Sequence, residues 1–282
     1  MKTYLELKEG VFLDDIIGVT KYDPEGEAEA KMYAQKEKIA KNRLEKYLFS
    51  QKWYRVLLCK ITGEKQRGFP KFISRSDEIR IQNLGDSFCQ KEKDTAFTAC
   101  SKIDGQSLTA ALMKNPNRLA RLFGNPYIFI LCSRNLKLGK YDPNNNYWKM
   151  AKKYDLENKL KLLIGNNDWV AVQGESVGVG IQENKYKLTD NRLYIFNLIY
   201  PSGRVDDKTF RPKLEEMGLP CVPLYSYDFH LGNTVAESVE KVTGLTGGFV
   251  EGIMDEGVVV RDYSRDISFK IINPLFLLKH NL

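Results

Sequence analysis

Short runs of apolar and β-branched residues, set apart by polar breaks and brief helical stretches, dominate this chain from Phe97 to its end. Tyr127 to Cys132 (YIFILC) reads as a buried strand and Leu193 to Tyr200 (LYIFNLIY) as strongly extended. Gly257 to Arg261 and Ser268 to Ile272 are the last two strands, and Tyr186 to Leu188 is a shorter one. Leu108 to Met113 is extended until Asn115-Pro116-Asn117 breaks it, and Trp169 to Gln173 runs into Gly174-Glu175. Helices are expected from about Tyr147 to Leu163, over Asp206 to Met217 by the spacing of Phe210, Leu214 and Met217, and over Thr234 to Val242. Antiparallel-looking strands with scattered helices make the fold class α+β.

The first quarter is different in kind. Met1 to Tyr22 reads as a lead-in, and Glu25 to Gln51 is charge-dense with a thin apolar stripe of Met32, Ile39, Leu44 and Leu48. Its many lysines read first as a solvated helix face. Trp53 to Ile61 is either a strand or the end of that helix, and Gly63 to Gly68 is a polar loop. The expected division is therefore a lead-in with a charged helical segment, residues 1–68, followed by one domain, 69–282.

Composition narrows the chemistry. Five cysteines form no C-x-x-C pair and only two histidines occur, His230 and His280, so zinc sites, disulfide frameworks and histidine triads have little to work with. No apolar run approaches membrane-spanning length and the first residues lack a signal peptide's apolar stretch, so a cytoplasmic protein without membrane contact is expected. A formal charge of +7 is compatible with a polyanionic partner.

One stretch carries chemistry. In Lys102-Ile103-Asp104-Gly105 an extended segment ends at a glycine, and period-two geometry puts Lys102 and Asp104 on one face. The glycine would let the backbone approach a ligand closely, which suits a lysine acting as nucleophile on a phosphate. About one chain in fifteen of this length holds K-x-D-G by chance, so the string needs company. It has four partners in order: GESVGVGIQ from Gly174, LYIFNL from Leu193, EGVVVR from Glu256 and SFKIINPLFLLK from Ser268.

Together these resemble motifs I, III, IIIa, IV and V of the covalent nucleotidyltransferases, which include ATP-dependent ligases and mRNA-capping enzymes. With GVTKYDP, FPKFISRSDEIRIQN and SRNLKL added, the chain looks like the Deinococcus-type RNA ligases. The resemblance implies an ATP-grasp-like nucleotidyltransferase domain of mainly antiparallel sheets with flanking helices. It implies an enzyme that uses ATP with Mg²⁺ or Mn²⁺ and acts, as a monomer, on RNA bearing a 3′-OH and a 5′-phosphate.

Residue by residue, the resemblance makes Lys102 the nucleophile that takes AMP. Lys270 is the cation that favours its neutral amine and holds developing phosphate charge. Glu175 contacts the ribose, Glu256 binds metal directly or through water, and both are candidate oxygen ligands. Phe196 stacks on adenine, and Arg134 binds the reacting phosphate or the RNA at the 3′-OH side. Asp104 and Gly105 belong to the nucleotide site, and Gln82 and Asn83 reach the AMP from upstream.

The chain departs from the pattern in places. Ser101 stands before the nucleophile where relatives often have Glu, and motif V has Lys270 and Ile272 in place of K-x-K. Lys279 is either a substitute or unrelated. The family's oligonucleotide-binding barrel precedes GVTKY, and the chain starts just before that point, so the barrel is expected to be missing. Two rivals remain: a GTP-dependent capping-type enzyme, and a nucleic-acid-binding relative with impaired catalysis. The first lacks a capping-type barrel after motif V; the second is opposed by the presence of Lys102, Glu175, Glu256 and Lys270.

Overall fold

The computed structural model describes residues 68–139 and 141–281, together with Tyr47, Leu48, Gln51, Trp53 and Tyr54. The lead-in, most of the Glu25 to Gln51 helix, the rest of Trp53 to Ile61 and most of the Gly63 to Gly68 loop lie outside them. The chain divides into two compact units, Met1–Arg67 and Gly68–Leu282, and the second holds both sheets of the fold.

Each sheet has five strands. The first runs β1 (Ile79–Arg80), β10 (Ile267–Ile272), β9 (Gly257–Asp262), β2 (Phe97–Lys102) and β8 (Leu224–Phe229). The second runs β4 (Tyr127–Cys132), β3 (Gln106–Lys114), β5 (Trp169–Val177), β6 (Arg192–Tyr200) and β7 (Gly203–Arg204). All pairings are antiparallel except β1 with β10, so the α+β expectation holds.

Strand alternation sorts the first sheet's side chains. Phe97, Ala99, Val258, Val260, Phe269 and Ile271 face a core closed by α1 (Gly85–Glu92) and α6 (Val235–Glu240). Phe97 and Phe88 each meet Phe269 edge-on, at 5.6 and 5.5 Å. Phe97 and Phe269 are fully buried, each contributing about 2–3 kcal/mol. On the second sheet Leu108, Ala110, Val170, Val172, Leu193 and Ile195 face α3 (Asn146–Lys153), α4 (Leu156–Leu163) and α5 (Asp207–Glu216). The remaining helices are α2 (Arg118–Leu122) and α7 (Pro274–His280).

Several local expectations are corrected. The helix expected from Tyr147 to Leu163 is two helices, broken where Asp155 adopts a left-handed conformation (φ 49°), which Asp tolerates. Tyr186 to Leu188 is no strand. Gln182, Glu183, Asn184 and Lys187 all have positive φ, and the Asn184 side chain bonds both the N–H and the C=O of Leu188. β5 does not stop at Gln173, because β3 and β6 continue to pair with it on both sides, so Glu175 sits inside a strand. Helices α1 and α7 and strand β8 were not expected.

The chain crosses between the sheets at Ile103-Asp104-Gly105, directly between β2 and β3. It also crosses at the segment from Ser74, whose carbonyl accepts from Gln173 on β5, to β1. A cleft of about 540 Å³ opens between these crossings.

Candidate active site

The first sheet's second face forms one wall of the cleft. Cys100, Lys102, Val259, Arg261, Lys270 and Ile272 all line it, as alternation on β2, β9 and β10 requires. Register decides who meets whom: Lys102 lies opposite Gly257, which brings the preceding Glu256 beside it. The Lys102 ammonium donates to Glu256 Oε2 at 2.6 Å, with both side chains largely buried. Glu256 is held by the backbone: its carbonyl accepts from Asn273 N–H, and the Asn273 side chain donates to the Asp255 carbonyl. Gly257 is required here, with φ 145° and Ile271 O only 2.1 Å from where a Cβ would stand.

Lys270, on β10, is opposite Val259 of β9 and level with Arg80 of β1. Burial, then repulsion from Lys102 and Arg80, holds its pKa below the ordinary lysine value. Lys102, Lys270, Arg80 and Arg261 thus line one wall, an arrangement that favours a polyphosphate.

The second sheet supplies the other wall. Glu175 accepts a hydrogen bond from the Gly105 backbone, and burial pushes its pKa up to about 8. Lys102 opposes that rise, while Glu256 and Asp104 add to it, so all four groups share one electrostatic neighbourhood. Phe196 reaches the cleft through a bulge: Gln173 pairs with Asn197 and Gly174 with Ile195, leaving Phe196 as the extra residue. Bulges re-aim side chains in this way. The Arg261 guanidinium lies 5.8 Å from its ring centre and donates to Glu78 at 3.3 Å, yet its Nε is buried with no partner.

The remaining expected residues divide. Arg134 stands at the rim after β4, 62% exposed, paired with Asp77 at 2.6 Å. Gln82 and Asn83 are exposed on a short 3₁₀ turn and do not line the cleft; Arg80 does. Lys279 is exposed on α7 and also stands outside the lining. Asp104 does not face Lys102 as a partner; it pairs with Lys185. Gly105 lines the cleft and also permits the close approach of β5, since a Cβ there would stand 2.4 Å from Ser176 O. Glu78, Arg80, Tyr147 and Arg261 line the cleft and were missed. Arg80 and Arg261 carried a signal, since cations at alternate strand positions beside motif residues share their face. The Tyr147 phenol is pushed up to about 12 by burial and by the Glu175 charge.

No three or more His, Cys, Asp or Glu side chains gather at metal-ligating distance among the described residues. Glu256 and Glu175 leave a sparse set of hard oxygen donors. That suits a cation such as Mg²⁺ or Mn²⁺, which completes its shell with water and phosphate oxygens. No helix among the described residues is long and apolar enough to cross a membrane.

Among solved structures, the chain is similar to Naegleria gruberi RNA ligase with PPi, with a TM-score of 0.64, 26% identity, and coverage of 76% of this chain and 60% of that one. Single-residue variants of the same ligase, one with ATP and Mn and one with AMP and Mn, match with the same TM-score and coverage at 25% identity. The chain therefore spans about three-fifths of the length of the ligase it matches. No curated protein gives a significant sequence match. A sequence model of RNA ligases matches residues 95–272, from just before β2 to the end of β10. That stretch holds Lys102, Glu175, Phe196, Glu256 and Lys270, and on it the chain belongs to the RNA ligase family.

Proposed function

We propose that this chain is an ATP-dependent RNA ligase of the Deinococcus type that works through an AMP adduct on Lys102. The observation that carries the reading is the Lys102 ammonium 2.6 Å from Glu256, on a cleft wall shared with Lys270 and Arg80. The collinear motifs and the likeness to a ligase solved with ATP and Mn support the choice of nucleotide and metal.

The cleft suits ATP. Its volume is within the range of nucleotide-sized sites. Phe196 offers a stacking face for the base. Glu256 and Glu175 would hold a divalent cation, which when bound neutralises charge on the phosphate oxygens.

Lys102 must lose its proton before it attacks. Its Nζ then forms a bond to the α-phosphorus, and the bond to the pyrophosphate oxygen breaks, with pyrophosphate taking the electron pair. Lys270 and Arg80 stabilise the leaving charge. An oxygen of an RNA 5′-phosphate next attacks the same phosphorus and the lysine leaves. Finally an RNA 3′-hydroxyl attacks the RNA phosphorus, losing its proton, and AMP departs as the phosphodiester forms. Arg134, at the rim, positions that second strand.

The test is incubation with α-labelled ATP or GTP and Mg²⁺ or Mn²⁺, followed by a denaturing gel. Label from ATP on the wild type and none on Lys102→Ala is the expected result. Label from GTP would move the reading to a capping-type enzyme, and absence of label with either metal would refute it.

A further inference from the structure

The loop after β5 is strained. Gln182, Glu183, Asn184 and Lys187 have φ between 43° and 58°, although none is glycine. Each such residue costs of order 1 kcal/mol, so the surroundings must hold the loop in place. The loop closes on itself through Asn184 and Leu188, and Tyr186 packs edge-on against Phe249 at 4.7 Å.

Its hydrogen bonds and ion pair through Gln182, Lys185 and Tyr186 fall on the turn that follows Lys102. The Asp104 N–H donates to Tyr186 OH at 2.8 Å, and Gln182 Nε2 donates to the Gly105 carbonyl at 3.4 Å. The Lys185 ammonium pairs with Asp104 Oδ2. Lys185 is itself only 7% exposed, and its ammonium lies 5.7 Å from the centre of the Phe276 ring of α7. The charges therefore separate into two pairs, Lys102 with Glu256 and Lys185 with Asp104.

We propose that Lys185 is a positioning residue for the Lys102 reaction: by holding the Asp104 carboxylate it leaves Glu256 as the partner of Lys102 and fixes the turn that carries the nucleophile. This rests on the adenylylation reading above. Without Lys185, Asp104 is a partly buried carboxylate with no countercharge in a neighbourhood that already contains Glu175 and Glu256. It then competes with Glu256 for Lys102, and the site becomes more negative and draws divalent cations more strongly.

The experiment compares the wild type, Lys185→Met and Lys185→Arg. Transfer of AMP to the protein is timed against ATP concentration, and Mn²⁺ binding to the nucleotide-free protein is followed by electron paramagnetic resonance. In Lys185→Met the rate of adduct formation should fall about ten-fold with KM for ATP within two-fold, and Mn²⁺ should bind about five-fold tighter. Lys185→Arg, which keeps the charge, should restore both. A Met variant as fast as the wild type overturns the proposal, as does a slow variant that Arg does not rescue or whose Mn²⁺ affinity is unchanged. If Lys185→Met does not fold, Lys185→Gln, which keeps a donor without the charge, is judged by the same outcomes. A wild type that takes no label removes the adenylylation reading itself and this proposal with it; a labelled wild type with an indifferent Met variant removes only this one.

Discussion

Glu175 is the residue whose environment makes the sharpest demand on stability. Its pKa rises from the ordinary 4.5 to about 8 on folding, chiefly through burial, with Glu256 and Asp104 adding to the rise and Lys102 opposing it. Between those values the folded protein keeps a proton that the unfolded chain has released. Stability must then fall as pH rises across that window, by about 1.4 kcal/mol per pH unit, and level off above about pH 8. The whole effect is roughly 5 kcal/mol, large against the net stability of a domain. Glu175→Gln mimics the protonated acid and removes the titration. Urea unfolding of wild type and variant at intervals from about pH 5.5 to 8.5 measures the difference directly. Relative to the wild type the variant should gain about 3 kcal/mol across the series, from an advantage of about 1.4 kcal/mol at pH 5.5 to one of about 4 kcal/mol near pH 8. Parallel stabilities across the series would refute the idea that Glu175 is held protonated by its surroundings.

Two further outcomes are expected. Gly257→Ala should lower stability by roughly 2–4 kcal/mol, because the new methyl meets the Ile271 carbonyl at a left-handed backbone; an unchanged melting temperature would refute that steric account. Phe196→Ala should raise KM for ATP about 5- to 30-fold, the equivalent of 1–2 kcal/mol of stacking, with the melting temperature little changed. An unaltered KM would leave Phe196 as a packing residue only.

Strands rich in apolar and β-branched residues, such as β4, β6, β9 and β10, were legible because that composition is a local property. The loop at 182–187 was not, since its four left-handed residues are none of them glycine and are held by contacts with Asp104, Gly105 and Phe249. Helices α1 and α7 were missed for a related reason: Gly85 opens one and Pro274 the other, next to strands that dominate the local pattern.

The sequence alone determined the α+β class, the family and the candidates Lys102, Glu175, Phe196, Glu256 and Lys270, because residue type and collinear spacing are one-dimensional properties. Only the tertiary structure decided their partners. The β2–β9 register put Glu256 beside Lys102, the β6 bulge turned Phe196 into the cleft, and Lys185 rather than Lys102 took Asp104. It also admitted Arg80, Arg261 and Tyr147 to the cleft and left Gln82 and Asn83 outside. Register, bulges and ion pairing join residues far apart in the chain, and a contact over such a separation exists only once both sheets have formed.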